Sequence, residues 1–159
     1  MDVLKYMVII ALLGVSALVS KTYCKFVDRS VAKVSSLQAF LKHIERKIGG
    51  YMTPANKLAD GYEDDVISEM LNGIREGQTL PDAYACVRED LPPKIDEALT
   101  LYFGDFGKGD LRLELLRVRE TISYIDGEIA VCKSEAEKQK KLCRAALPSI
   151  AIGVIIWFV

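Results

Sequence analysis

Residues 27–48 read VDRSVAKVSSLQAFLKHIERKI. Val27, Val31, Val34, Leu37, Leu41, Ile44 and Ile48 recur at steps of three or four, Tyr51 extends the stripe and Phe40 widens it, while Lys42, Glu45, Arg46 and Lys47 fall off it. Such a period is the apolar face of an amphipathic helix. Gly49 and Gly50, tolerated at a helix end and unfavourable inside one, place its stop. Downstream, Thr53 followed by Pro54 reads as an N-cap with proline at the first helical position, predicting a second helix that ends near Gly61. Glu63, Asp64 and Asp65 suit the positive end of a third helix, which carries Val66, Ile67, Met70, Leu71 and Ile74 and closes at Gly77. Thr79 and Pro81 open a short fourth helix with Ala83, Tyr84 and Val87. After Pro92 and Pro93, a fifth stripe runs through Ile95, Ala98, Leu99, Tyr102, Phe103 and Phe106. The sixth and most regular pattern is Leu111, Leu115, Val118, Ile122, Ile125, Ile129 and Cys132. No segment alternates with the period of a strand, so the fold class is all-α.

Outward from this middle lie two apolar segments. Met7 to Val19 carries no charge, and Ala145 to Val159 carries none up to the last residue of the sequence. Each approaches the roughly 17 residues that cross a bilayer if Lys5 and Arg144 reach back to the headgroups. Charge is segregated accordingly. Lys21 to Lys33 and Lys133 to Arg144 are each net +3, whereas Val34 to Cys132 holds 11 Lys and Arg against 18 Asp and Glu. Basic residues beside spans stay on the cytoplasmic side. The expected organisation is therefore an N-terminal transmembrane helix at 1–20, a cytoplasmic helical domain at 21–144 and a C-terminal transmembrane helix at 145–159, with both termini on the opposite side. Lys5 followed by a short apolar run also has the outline of a cleaved export signal, but the four basic residues after it and the second apolar segment argue against export. Cys24, Cys86, Cys132 and Cys143 form no C-x-x-C pair and read as free thiols in a reducing cytosol.

Chemistry-bearing motifs are sparse. Gly104, Asp105, Gly107, Lys108, Gly109 and Asp110 offer glycines and a lysine, but no strand precedes them and no Ser or Thr follows the lysine, as a phosphate loop needs. The stretch reads instead as a tight corner between antiparallel helices, with Asp110 capping the second and Glu114 in its first turn. His43, the one histidine, lies on a charged helix face and is expected to face solvent. With dispersed thiols around it, neither a four-ligand zinc site nor a histidine-based triad assembles, and no cofactor or nucleic-acid partner is expected. Ala145, Ser149 and Gly153 recur every four residues, a small-residue stripe where Ala11 and Gly14 of the first span, or a second copy of the chain, could approach closely.

Taken in order, the first span, the helix ending in Ile44, Glu45 and Ile48, then Tyr51, Thr53 and Pro54, and the corner of Gly107, Gly109 and Asp110 before the long last helix resemble the stage III sporulation protein AB family over essentially the whole chain. Three positions depart from that family: Glu114 stands where glutamine is expected, Ala55 where leucine is usual, and Leu147 with Pro148 replaces a glycine-containing start of the last span. The resemblance implies a small antiparallel bundle of about six helices, similar to the cytoplasmic domains of the inner-membrane platform protein of type II secretion and type IV pili. It also implies a structural role in the assembly that endospore-forming bacteria build in the mother-cell membrane around the forespore, with other channel proteins and a secretion-type ATPase as partners. From the residues alone the reading stops at a two-span helical adaptor in contact with lipid. Its expected docking surface is the corner of Gly104, Asp105, Gly107, Gly109, Asp110 and Glu114. A membrane-bound enzyme using His43 and nearby acids, and a sensor relaying motion along the long helix, are the competing readings.

Overall fold

A computed structural model of the chain describes residues 2–49 and 53–158; the side chains of residues 2–10, 12, 13, 16, 143, 144, 146–148 and 150–158 lie outside that description. The described residues form five α-helices and no strand: α1 Asp2–Ile48, α2 Ser68–Arg75, α3 Leu80–Ala85, α4 Pro93–Asp105 and α5 Leu111–Phe158. Only a single 3-10 turn, Ala55–Lys57, stands where the second of six helices was expected. The reason is local. Thr53 does not cap that segment; its hydroxyl donates to the Lys47 carbonyl 3.1 Å away and so satisfies the end of α1.

The third expected helix also begins later than its acidic run suggested. Asp64 Oδ1 accepts from the Val66 amide at 2.8 Å, a local side-chain turn that competes with helix, and α2 starts only at Ser68. Its end fits the reading at Gly77, whose φ is +89°. There the Gly77 amide donates to Ile74 O and the Gln78 amide to Gly73 O, the paired bonds of a Schellman motif. Between these elements the chain from 53 to 67 buries Leu58, Ala59 and Ile67 in the core, and Arg75 donates to its carbonyls at Tyr62, at 2.6 Å, and Ala59, at 3.3 Å. Thr79 caps α3, accepting from the Asp82 amide, and Asp96 of α4 receives Tyr84 of α3 at 2.8 Å and Arg88 at 2.7 Å.

Two compact units divide the chain, Ser30–Cys132 and a second formed by Met1–Arg29 with Lys133–Val159. Their boundaries fall inside the expected 21–144 domain, so most of each basic flank groups with the neighbouring apolar end. In the first unit a continuous core joins Val34, Leu37, Leu41, Ile44 and Ile48 of α1 to Leu99 and Phe103 of α4 and Val118, Ile122 and Ile125 of α5. Phe40, fully buried, packs at 5.4 Å from the Tyr62 ring. On another side of α1, Glu45 meets Arg119 at 2.7 Å while Gln38 and Lys42 meet Asp126, so within this unit α1 and α5 run in opposite directions. The turn before α4 holds Asp90 at φ +69°, and α1 ties it down: Ser30 donates to Asp90 O and Lys33 to Glu89 O, both at 2.7 Å.

In the second unit Tyr23 donates to Gln139 at 3.2 Å, and Lys140 pairs with both Asp28 and Glu137. Ala11, Gly14, Ala145 and Ser149 are exposed, and the Ser149 hydroxyl donates back to Ala145 O at 2.8 Å within its own helix. A Cβ placed on Gly14 would meet no atom within 4 Å among the described residues. The surroundings of Gly153, the last member of the small-residue stripe, lie outside that description. No helix is long and apolar enough to cross a membrane among the described residues, which leave out most side chains of the two apolar segments. Among the described residues no disulfide joins Cys24 and Cys86.

Candidate docking site at the glycine corner

The corner between α4 and α5 is closed by side chains as much as by glycine. Gly107 adopts φ +80°, a left-handed value that its neighbours could reach only with strain. This conformation lets the Gly107 amide donate to Glu114 Oε1 at 3.1 Å. Arg117, one turn further along α5, donates to the Asp105 carbonyl at 3.3 Å and approaches Glu114 Oε1 at 3.5 Å. Asp110 Oδ1 accepts from the Leu113 amide at 2.8 Å, the N-cap bond expected of it, and the Glu114 amide donates to Asp110 O.

These contacts separate the three acidic residues into two roles. Glu114 is 0% exposed and turned inward, so it holds the corner and offers no charge to a partner. Its second oxygen, Oε2, is buried without a hydrogen-bond partner, and so is the hydroxyl of Tyr102. Burial first, and the Glu114 charge second, push the Tyr102 phenol well above the usual tyrosine range. Asp105 and Asp110, by contrast, reach the surface. The Lys108 ammonium, bonded to Asp105 at 2.9 Å, holds that carboxyl below its ordinary value, with its charge adding to the bond. Gly104 and Gly109 flank the same turn, half-buried.

Two residues that sequence reasoning missed complete the surface. Arg117 links both strands of the corner, and Leu101, 63% exposed, lies with Tyr124 beside an open groove between α4 and α5 that is floored by Tyr102. The sequence carries a signal for each. Glu114 occupies an apolar-stripe position with Leu111, Val118 and Ile122, which calls for a polar partner within reach such as Arg117. Leu101 falls off the stripe of Ile95, Ala98, Leu99 and Tyr102, and Tyr124 off that of α5, as apolar residues left for the outside.

His43 departs from expectation. It packs between Phe40, at 6.4 Å, and Tyr62, at 5.0 Å, because the chain after the 3-10 turn folds over that face of α1. Its Nε2 is buried and meets no partner at hydrogen-bonding geometry. Burial, then the charges of Lys47 and Arg46, hold its pKa below the ordinary value, and the nearby carbonyls of Leu58 and Asp60 oppose the shift without cancelling it. Among the described residues no three His, Cys, Asp or Glu side chains converge as a metal site would require.

No protein-family model, curated protein or solved structure matches this chain.

Proposed function

We propose that this chain is a non-enzymatic platform subunit, anchored in a membrane by its two apolar ends, whose helical bundle docks partner proteins at the corner after α4. The observation that carries the reading is the division of labour at that corner. The buried Glu114 and the partly exposed Arg117 fix the backbone, leaving Asp110 exposed on a preformed turn and Asp105 at the surface beside Lys108. Preorganised charge steers and orients an oppositely charged partner more than it adds raw affinity. A partner with a basic face suits a segment in which 18 acidic residues outnumber 11 basic ones.

The resemblance to the stage III sporulation AB family makes the partner class concrete: a cytoplasmic secretion-type ATPase, within a channel assembly in the mother-cell membrane around the forespore. Support for the anchoring is the sequence of both ends and the basic residues beside them. Asp105→Lys combined with Asp110→Asn reverses one charge and removes another while keeping the helix cap. Retention of that ATPase in a pull-down should fall about tenfold at unchanged helicity. Equal retention would exclude the corner as the dock. Cysteine labelling at each terminus and in the bundle tests the anchoring separately: externally reactive termini with protected bundle sites support it, and uniform external reactivity excludes it.

A further inference from the structure

Two exposed patches in the Ser30–Cys132 unit complement one another. The first is at the start of α5. Leu113 and Leu116, 39% and 53% exposed, sit one turn apart, and Arg112 and Arg119 flank them in a groove of about 630 Å³ that Asp110 also lines. Arg112 makes no ion pair among the described residues; Arg119 engages Glu45 through Nε yet keeps a side-chain exposure of 65%. With Asp110 engaged in capping α5 through Oδ1, the unpaired Arg112 and the exposed Arg119 leave a place for carboxylates arranged around something apolar.

The second patch has that chemistry. Glu63, Asp65 and Glu69 are exposed around Val66, itself 41% exposed, and none of the three enters an ion pair among the described residues. Exposed apolar side chains rimmed by unpaired charge are the composition of an interface.

One copy cannot join its own two patches. The acidic segment continues directly from Tyr62, which packs on the α1 stripe of Ser36, Phe40 and His43. The groove shares Arg119 with the other stripe, that of Gln38, Lys42 and Glu45. Ser36 and Gln38 lie about 160° apart around a helix of 3.6 residues per turn. The contacts of Tyr62 and Arg119 therefore fall on opposite sides of α1, an arrangement that suits head-to-tail contacts; a two-fold contact of groove on groove would set arginine against arginine.

We propose that the groove of one copy receives the Glu63–Glu69 segment of a second copy, Val66 covering Leu113 and Leu116 while the carboxylates pair with Arg112 and Arg119. The contact repeats, giving a ring or an open row of subunits. It weakens with salt, because its charges remain at a solvated rim.

The test uses the full chain in detergent with no other protein present, so it stands or falls separately from partner docking. Wild type should sediment as concentration-dependent oligomers by roughly 100 µM, the range for a contact smaller than a standard interface. Two variants, Arg112→Glu with Arg119→Glu, and Glu63→Lys with Asp65→Lys and Glu69→Lys, should each associate at least tenfold more weakly at unchanged helicity. Mixed in equal amounts they should assemble again, since the reversed groove accepts the reversed segment. Arg112→Glu alone serves if loss of the Glu45 pair unfolds the double variant. The proposal is overturned if wild type stays monomeric, if either folded variant assembles as wild type does, or if the mixture stays monomeric. Arginine-dependent binding to anionic vesicles without self-association would likewise overturn it, assigning the groove to lipid.

Discussion

At the scale of single residues, Glu114 and His43 show what burial does to a polar group. Glu114 has one oxygen in use and one without a partner, beside a Tyr102 hydroxyl that also has none. Glutamine there keeps an acceptor for Gly107 and brings an amide that can donate towards Tyr102, without a buried charge. Glu114→Gln should therefore leave unfolding free energy unchanged or raise it by about 1 kcal/mol, whereas Glu114→Ala, which strands the Gly107 amide and Arg117, should lower it by about 2–3 kcal/mol; urea denaturation checks both. His43 gives a pH signature. Its folded pKa lies below the ordinary 6.5, so its contribution is present above that value and is lost as pH falls through the folded one. The melting temperature should drop between about pH 7 and 5, and His43→Gln should flatten that drop. Periodicity placed Glu114 correctly in the first turn of the last helix. It missed the inward aim of both residues, because a single helical period says nothing of which later segment folds over a face.

At the scale of elements, caps decide more than propensity. The stripes of α1, α4 and α5 were legible to within a few residues, since each is long and repeats its apolar face many times. Short segments were read unevenly: the helix opened by Thr79 stands as α3, while two other starts do not. Thr53 had the composition of an N-cap but serves the preceding helix, and the acidic run before α2 became a side-chain turn because Asp64 competes for a backbone amide. Gly77 was readable because the left-handed position that ends a helix selects glycine strongly. Gly77→Ala should destabilise the bundle by about 1–2 kcal/mol, the cost of a left-handed Cβ, with a parallel loss of melting temperature and no change in far-ultraviolet dichroism.

For the molecule as a whole, the cohesive element is the core shared by α1, α4 and α5 in the Ser30–Cys132 unit. Phe40 sits at its edge with 0% exposure, touching both the helix stripe and the folded-over segment. Phe40→Ala should lower unfolding free energy by about 3–5 kcal/mol, and calorimetry should show the loss in one transition if that core unfolds as a unit. The all-helical class and the oppositely directed α1 and α5 followed from sequence pattern. The corner of Gly104 to Glu114 was named from the sequence, but the exposed groove beside Leu113 and Leu116 was not, because it consists of off-stripe residues. Arg75 carries a last consequence. The segment from 53 to 67 has little regular structure, and two of its carbonyls are satisfied by this one guanidinium. Its resistance to local opening thus rests on this side chain and on the buried Leu58, Ala59 and Ile67 rather than on a backbone ladder. Arg75→Ala should turn the exposed Lys57 into a trypsin-sensitive bond, cut about tenfold faster while the helices on either side stay intact, so that a protease would read out the loss of one hydrogen-bonding group as a new seam in the chain.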